Sequence, residues 1–333
     1  MELNTLASDA SLTLLGSTGS IGESTLAVAR KIENLSIFAL TANTNAARLL
    51  AQCLEFNPRY AVLVDSAGAD QLAKALRAAG CNTELLVGPE ALDQVAADAE
   101  VDMVMAAIVG AAGLAATLAA AKAGKRLLLA NKEALVMTGD ILMDAARHNG
   151  STLLPIDSEH NAIFQCLDGR DTDSVRRLIL TCSGGPFRKT PAVDLEKVTP
   201  EMALRHPTWS MGKKITIDSA TLFNKALEMI EARWLFDIGI DRVDVVVHPQ
   251  SIVHSMVEFV DGSVLAQLGH SDMRLPIQYA VTWPERVANS LPPLDLAALG
   301  RLEFEAPRRE DFPALDLAVK AGTLGGTCPA VLN

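Results

Sequence analysis

The sequence has few cysteines and no excess of basic charge. Its five cysteines are odd in number, and none is spaced as C-x-x-C. This argues against a disulfide framework and a zinc site, and it is typical of a reducing cytoplasm. Lys plus Arg number 29 against 40 for Asp plus Glu, so the net charge is -11. We therefore expect no nucleic-acid partner, and we expect any anionic ligand to be held by a few placed donors.

Targeting and membrane signals are also missing. Residues 1–10 contain two acids and no basic segment, unlike a signal peptide. Residues 103–121 lack charge, but they are mostly Ala and Gly, which contribute little to membrane insertion. Gly110 divides this stretch into a predicted strand, Val101–Val109, and a predicted helix, Ala111–Ala123. We expect no membrane span and a cytoplasmic location.

Apolar strands alternate with helices over the first 150 residues. Leu12–Leu15, Ser36–Leu40 and Tyr60–Val64 are short apolar runs separated by helical segments. Such continuous runs are typical of a parallel sheet that is covered on both faces. Residues 1–150 are therefore predicted to form a doubly wound, Rossmann-like α/β domain.

The pattern changes in the second half of the chain. Segments such as Lys214–Ile217 and Ile252–Phe259 are predicted to be amphipathic strands, and one helix is predicted over Ala220–Phe236. We expect residues 151–290 to form an α+β domain with a mostly antiparallel sheet. Residues 291–333 are predicted to be an irregular linker followed by the start of a helical region.

A glycine-rich turn follows the first strand and opens the first helix. Its sequence, G-S-T-G-S-I-G over Gly16–Gly22, would let the backbone approach a pyrophosphate at the helix start. An ordinary tight turn is the alternative. NAD-binding folds place an acid about 20 residues further on, but here no acid lies between Glu33 and Glu55. The end of the second strand, Thr41–Asn45, therefore favours NADP over NAD.

Carboxylates in two segments predict a divalent-metal site. Asp157 and Glu159 follow an apolar strand and would share a face if that segment were extended. Asn224, Lys225 and Glu228 would form one polar patch on the predicted helix. Hard oxygen ligands without cysteine suit Mg²⁺ or Mn²⁺. The alternatives are two solvated acids and a surface helix with an intrahelical salt bridge.

The remaining candidate residues lie in three predicted loops. Residues 183–185, Ser-Gly-Gly, follow a predicted strand as an anion-binding turn or a plain loop. His206–Gly212 contains an imidazole, an indole and a thioether, so it is either a satellite core or a lid over a ligand. His248 and His254 flank a strand start and are interpreted as buried core histidines.

Taken in order, these motifs resemble the 1-deoxy-D-xylulose 5-phosphate reductoisomerase family over essentially the whole chain. The similarity lies in the glycine-rich turn and in Leu129–Glu133, Asp157–Asn161, Ser183–Phe187, His206–Gly212, Asn224–Phe236 and His248–Met256.

The resemblance implies a homodimeric enzyme that rearranges and reduces a sugar phosphate with NADPH and a divalent metal, Mn²⁺ or Mg²⁺, with Co²⁺ as a further candidate. Residues 151–290 would then be the catalytic, metal-binding and dimerisation domain. The implied catalytic residues are Lys132, Glu159, His206 and Trp209. The implied metal ligands are Asp157, Glu159 and Glu228.

The resemblance also implies two sets of ligand contacts. The NADPH contacts would be Thr18, Gly19, Ser20, Ile21, Asn45, Asn131, Glu133 and Gly212. The sugar phosphate contacts would be Lys132, Ser158, Glu159, Ser183, His206, Ser219, Asn224, Lys225 and Glu228, with Trp209 and Met211 as a lid.

Two features depart from the family pattern. Where some relatives have Gly-Lys-Asn after the second strand, this chain has Asn43-Thr44-Asn45, which supplies no cation for the 2′-phosphate of the cofactor. The chain ends at Asn333, where the family continues with a C-terminal helical domain.

Two other functions are weighed against the resemblance. Another NADP-dependent sugar or semialdehyde dehydrogenase would not need three clustered carboxylates. A non-catalytic dinucleotide sensor would be expected to have lost them.

Overall fold

The structure, a computed structural model, describes residues 4–206 and 212–333 and divides into two compact units. The first unit extends past the predicted boundary at residue 150, because strand Thr152–Pro155 joins its sheet. It also includes the segment Met273–Asn289, which was predicted to belong to the second domain. The second unit consists of Leu135–Gly139, Asp157–Asp272 and Ser290–Asn333.

The helices and strands run through both units. In chain order, the strands are β1 (Ala10–Leu15), β2 (Leu35–Ala42), β3 (Tyr60–Leu63), β4 (Glu84–Val87), β5 (Met103–Ala106), β6 (Arg126–Leu129), β7 (Thr152–Pro155), β8 (Val175–Cys182), β9 (Val243–Val247), β10 (Val253–Phe259) and β11 (Val264–Leu268). The helices are α1 (Ser20–Ala29), α2 (Ala46–Phe56), α3 (Ala69–Ala78), α4 (Glu90–Ala97), α5 (Leu114–Lys122), α6 (Lys132–Asn149), α7 (Ser158–Leu167), α8 (Pro200–Ala203), α9 (Lys213–Ala220), α10 (Phe223–Leu235), α11 (Arg274–Thr282), α12 (Leu296–Leu299), α13 (Ala314–Leu324) and α14 (Cys328–Leu332). None of these described helices has both the length and the apolar composition needed to cross a bilayer.

The first unit is built on a parallel sheet with strand order β4-β3-β2-β1-β5-β6-β7 among the described residues. Four successive residues of β1, from Leu12 to Leu15, have no exposed surface. Successive strand residues point to opposite faces, so both faces of this sheet are covered. The strand order reverses at β1, where doubly wound folds bind ligands at the carboxyl ends of the strands. The Rossmann-like prediction is confirmed.

The second unit contains a four-stranded mixed sheet, again among the described residues, in the order β11-β10-β8-β9. Strand β10 runs antiparallel to both β11 and β8, whereas β8 and β9 are parallel. Helix α10 has eight consecutive buried residues, from Lys225 to Ala232. A helix that is buried all round belongs to the core, so the polar residues of α10 are held by that core.

Two element predictions in the second unit are wrong. Lys214–Ile217 was predicted as a strand from its alternating β-branched residues, but it lies within α9. The hydroxyl of Thr216 bonds to the carbonyl of Gly212 at 2.8 Å, one helical turn earlier, and local β propensity is overridden by tertiary context. The helix predicted over Ala220–Phe236 starts too early, because Leu222 is left-handed, with φ 60°, and separates α9 from α10.

The close approach of Gly139 to Trp234 gives a test of the second unit's packing. A Cβ at Gly139 would lie 2.3 Å from Nε1 of the Trp234 ring. We predict that Gly139→Ala lowers the free energy of unfolding by about 1–3 kcal/mol through overpacking, measured by urea denaturation. As a control, Gly68→Ala should change it by less than about 0.5 kcal/mol, because its Cβ would meet its nearest neighbour at 3.4 Å. An equal change in the free energy of unfolding for the two variants would contradict the overpacking expected at Gly139.

Candidate functional site

The glycine-rich turn brings bare backbone to the carboxyl edge of the parallel sheet. Gly16 has φ +85°, and a Cβ there would lie 2.8 Å from the carbonyl oxygen of Ala107, just after β5. A Cβ at Gly22 would lie 2.4 Å from the carbonyl oxygen of Ser17. Because Gly19 is the N-cap of α1 and has no side chain, the first N–H groups of the helix can meet an anion. The predicted cofactor contacts on this turn are Thr18, Gly19, Ser20 and Ile21.

A buried polar network joins this turn to β2 and α2. The hydroxyl of Thr41 accepts a hydrogen bond from the Gly16 N–H at 2.8 Å. The Ser17 hydroxyl donates to Oε1 of Gln52 at 2.6 Å, and Nε2 of Gln52 donates to the Ser17 carbonyl at 2.9 Å. The network thus fixes the turn against the end of β2, where doubly wound folds place the adenosine ribose of a dinucleotide.

The other cofactor candidates of the first unit stand at helix starts. Asn45 caps α2, its Oδ1 accepting a backbone N–H at 3.1 Å. Asn131 precedes α6, and its Nδ2 donates to the Gly110 carbonyl at 3.1 Å. Its Oδ1 is buried and meets no donor among the described residues. Since such an acceptor is costly, it fits a position that receives a hydrogen bond from a ligand. Lys132 and Glu133 are buried in the first turn of α6.

In the second unit, ligand atoms of Asp157, His160 and Glu228 lie within 4.8 Å of one another. Asp157 is the N-cap of α7, and Glu159 lies in the first turn. The expectation that Asp157 and Glu159 share an extended face is therefore wrong, because the helix begins at Ser158. Instead, the Ser158 hydroxyl donates to Oε2 of Glu159 at 2.6 Å.

Lys225 links the two predicted groups of carboxylates. Its Nζ donates to Oε1 of Glu159 at 2.6 Å and to Oε2 of Glu228 at 2.5 Å, and Asn224 donates to the other Glu228 oxygen. Burial alone would lower the pKa of the Lys225 ammonium, but the charges of Glu159 and Glu228 raise it above its ordinary value. Because Glu228 has no exposed surface, the alternative of a surface salt bridge is wrong.

Two buried residues beside this cluster, His160 and Glu231, have no role in the prediction from sequence. Nδ1 of His160 lies 3.5 Å from Oε2 of Glu231 and 4.0 Å from Oδ2 of Asp157, and its Nε2 lies 2.9 Å from the Glu228 carbonyl oxygen. Both His160 and Glu231 have no exposed surface. Each follows a predicted ligand by three residues, a helical spacing. For Glu231 this spacing lay within the helix that was predicted, whereas for His160 it would have required the segment after Asp157 to be predicted as a helix.

The predicted phosphate contacts meet around the turn that follows β8. Nε2 of His206 lies 2.9 Å from the Ser183 hydroxyl, which also accepts the Gly185 N–H at 3.2 Å. Gly184 and Gly185 both have positive φ, and a Cβ at Gly185 would lie 2.6 Å from the Ser219 carbonyl oxygen. Burial lowers the pKa of His206 below its ordinary value, because it disfavours the charged imidazolium.

The remaining candidates fall elsewhere. Gly212, a predicted cofactor contact, is the exposed N-cap of α9 and belongs to the second unit. Trp209 and Met211 lie outside the described residues. His248 and His254 are buried, as expected.

A glycine turn at the head of a doubly wound sheet defines a dinucleotide-binding protein, and the buried carboxylates of the second unit define a candidate metal centre. The family model of 1-deoxy-D-xylulose 5-phosphate reductoisomerase matches residues 12–139. The model of the 1-deoxy-D-xylulose 5-phosphate reductoisomerase C-terminal domain matches residues 153–236, and that of the DXP reductoisomerase C-terminal domain matches residues 268–333. The chain belongs to the 1-deoxy-D-xylulose 5-phosphate reductoisomerase family.

Relatives and solved structures agree with this assignment. The 1-deoxy-D-xylulose 5-phosphate reductoisomerase of Pseudomonas putida (strain W619) is 58% identical over 329 residues, and that of Ectopseudomonas mendocina (strain ymp) is 57% identical over 328. Each alignment covers 97% of this chain and 83% of the relative. The Zymomonas mobilis enzyme in complex with NADPH superposes with TM-score 0.90 at 48% identity, covering 97% of this chain and 83% of that one. A DOX-P reductoisomerase in complex with NADPH, fosmidomycin and magnesium gives TM-score 0.93 at 48% identity, covering 97% and 82%.

The buried Lys225 gives a prediction for the metal-free protein. Lys225→Met leaves two carboxylates without their cation, so we expect the free energy of unfolding to fall by about 3–5 kcal/mol. Adding Glu228→Gln should restore part of that loss, measured as a double-mutant cycle in urea.

The matched control is Lys214, which pairs with Asp218 at 2.7 Å on an exposed face. Lys214→Met should cost no more than about 1 kcal/mol. A Lys225→Met protein as stable as the Lys214→Met control would show that the buried pairing does not hold the carboxylates.

Proposed function

We propose that this chain converts 1-deoxy-D-xylulose 5-phosphate to 2-C-methyl-D-erythritol 4-phosphate in the synthesis of isoprenoid precursors. It is an NADP-dependent oxidoreductase that works with a divalent metal. The observation that supports this most strongly is the carboxylate cluster of the second unit, in a chain 57–58% identical to reductoisomerases. The buried Lys225 joins Glu159 to Glu228, and ligand atoms of Asp157 and Glu228 lie within 4.8 Å of each other. A dehydrogenase that only reduces a carbonyl would not need that group.

The first unit would hold NADPH. The N–H groups at the start of α1 would receive the pyrophosphate, and the buried Oδ1 of Asn131 would accept a hydrogen bond from the cofactor. Asn45 and Glu133 are proposed as further contacts, together with Gly212 of the second unit. NADPH, when bound, supplies the hydride that reduces the rearranged aldehyde.

Asp157, Glu159 and Glu228 would hold the metal. Carboxylate oxygens are hard donors that suit Mg²⁺ and Mn²⁺, with Co²⁺ as a further candidate. A metal bound there supplies a Lewis acid for the carbonyl and hydroxyl oxygens of the sugar. Before it binds, Lys225 compensates the charges of Glu159 and Glu228. The imidazole of His160 would orient Asp157 from inside the core.

The sugar phosphate would be held by residues of the second unit. The proposed donors to the phosphate dianion are the hydroxyls of Ser183 and Ser219, the amide of Asn224 and the ammonium of Lys225. The imidazole of His206 lies beside Ser183. The binding energy gained at the phosphate, away from the reacting carbons, would hold those carbons in position for the reaction.

The proposed catalytic residues are Lys132, Glu159, His206 and Trp209. Glu159 and Lys132 would move hydroxyl protons, and Trp209 would cover the substrate. Ser158, a proposed substrate contact, would also orient Glu159.

We further propose a homodimer that works in the cytoplasm. Strand β11 is an edge of the mixed sheet among the described residues, and Val264 and Leu265 on it are 49% and 42% exposed. An exposed apolar edge strand is a template for pairing with a second copy. All five cysteines, each of them described, are free thiols, which suits a reducing compartment. Light scattering should give twice the chain mass of 35.4 kDa, and a monomer would contradict the dimer.

The decisive experiment measures NADPH oxidation with 1-deoxy-D-xylulose 5-phosphate, with and without Mn²⁺ or Mg²⁺, and identifies the product. We expect turnover only with metal, and 2-C-methyl-D-erythritol 4-phosphate as product. Metal-independent reduction of a simple aldehyde substrate would instead favour another NADP-dependent dehydrogenase.

Glu228→Gln gives a direct test of the metal site. The change keeps the shape and removes the charge, so we predict a loss of kcat/KM of about 10³-fold or more, because a bound metal contributes several kcal/mol. Mn²⁺ binding, followed by electron paramagnetic resonance, should weaken in parallel, while the dissociation constant for NADPH stays the same.

The control is Glu258→Gln on β10, which removes a carboxylate paired with Arg177 at 2.7 Å. It should leave both turnover and Mn²⁺ binding unchanged. An active Glu228→Gln enzyme would show that this carboxylate does not bind the metal.

A further inference from the structure

The end of β2 contains no cation for the 2′-phosphate of NADPH. The three residues after the strand, Asn43, Thr44 and Asn45, are exposed and uncharged. The first basic residue beyond them is Arg48, which lies in the first turn of α2, and that turn contains no acid. Folds of this kind recognise NADP through an arginine near this position.

Arg48 is held in place by hydrogen bonds that begin in the glycine-rich turn. Its Nε and Nη2 donate to the two carboxylate oxygens of Glu23, both at 2.5 Å. Glu23 in turn accepts from Nε2 of Gln52 at 2.9 Å, and the same nitrogen donates to the Ser17 carbonyl. The guanidinium is therefore oriented by the same network that fixes the turn against β2.

The pairing with Glu23 leaves most of the guanidinium available. A guanidinium has five N–H donors, and two of them are used here. The Arg48 side chain is 47% exposed, and it has no other side-chain acceptor among the described residues. Planar, charged and oriented donors of this kind suit a phosphate, which arginine binds through paired hydrogen bonds.

We propose that Arg48 selects NADPH over NADH by binding the 2′-phosphate of the adenosine ribose, with Glu23 as the residue that positions it. This rests on the proposed function only in taking NADPH as the cofactor. The alternative is that Arg48 and Glu23 form a surface ion pair between two helices, which would contribute little to stability and nothing to cofactor choice.

The chain provides a matched control for that alternative. Arg30, at the C-terminal end of α1, makes the same two-pronged contact with Glu55 near the end of α2. It joins the same two helices, but it lies at the ends opposite to the glycine-rich turn and to the start of α2.

The experiment measures dissociation constants of NADPH and NADH by isothermal titration calorimetry, without metal or substrate, for the wild type, Arg48→Gln and Arg30→Gln. We expect the wild type to prefer NADPH. Arg48→Gln should weaken NADPH binding on the order of tenfold to a hundredfold and leave NADH binding nearly unchanged, because only NADPH has the phosphate. Arg30→Gln should change neither. In the Arg48→Gln background, Thr44→Lys should restore part of the preference by placing a cation after β2.

One outcome would overturn the role of Arg48 alone. It is a ratio of the two dissociation constants in Arg48→Gln equal to that of the wild type, whether both constants are unchanged or both rise by the same factor, as a purely structural role requires. A wild type without preference for NADPH would instead overturn the proposed cofactor, and the role of Arg48 with it.

Discussion

The buried ammonium of Lys225 is the interaction on which the site of the second unit depends. Glu159 and Glu228 cannot both be charged inside a protein without a nearby cation, since each uncompensated charge costs several kcal/mol. Lys225 bonds to both carboxylates, so their separation is set by the cation that they share. Helix α10, which contains Lys225 and Glu228, is itself part of the core. The position of the charges is thus fixed by apolar packing that surrounds them.

The candidate ligand site of the first unit is formed differently. It consists of backbone groups and oriented side chains instead of buried charges. The chain has a net charge of -11, so its overall field repels an anionic cofactor. The tight contacts of Gly16 and Gly22 expose the N–H groups at the start of α1, and the network through Ser17 and Gln52 holds Glu23 and Arg48 beside them. Any attraction of an anionic cofactor is therefore local, and it depends on the precise placement of these N–H groups and of Arg48.

The sequence predicts those features of the fold that depend on residues close together along the chain. The glycine-rich turn and the apolar strands of the first unit were recognised because their signals are periodic and local. The strand predicted at Lys214–Ile217 was wrong, since β-branched residues tolerate a helix when packing demands it. The contact between His160 and Glu231 joins α7 to α10, so the sequence contains only their three-residue spacing from Asp157 and Glu228 and no sign that they meet. The pairing of Glu23 with Arg48, which lies 25 residues further along the chain, is equally invisible to a local pattern.

Leu222 shows where the fold accepts strain to build this site. A left-handed conformation costs an L-residue with a branched side chain roughly 1–2 kcal/mol, yet Leu222 adopts φ 60° and is buried. It stands between Ser219 at the end of α9 and Asn224 and Lys225 at the start of α10. In one continuous helix through Leu222, Asn224 and Lys225 would follow Ser219 by five and six residues and would point to other sides of the helix. The reversal at Leu222 frees α9 from the axis of α10, so that Ser219 can approach the Gly185 turn while Lys225 stays in the core with the carboxylates. Backbone strain of this kind persists only where the surrounding packing over-determines it, and Leu222 is itself buried in that packing.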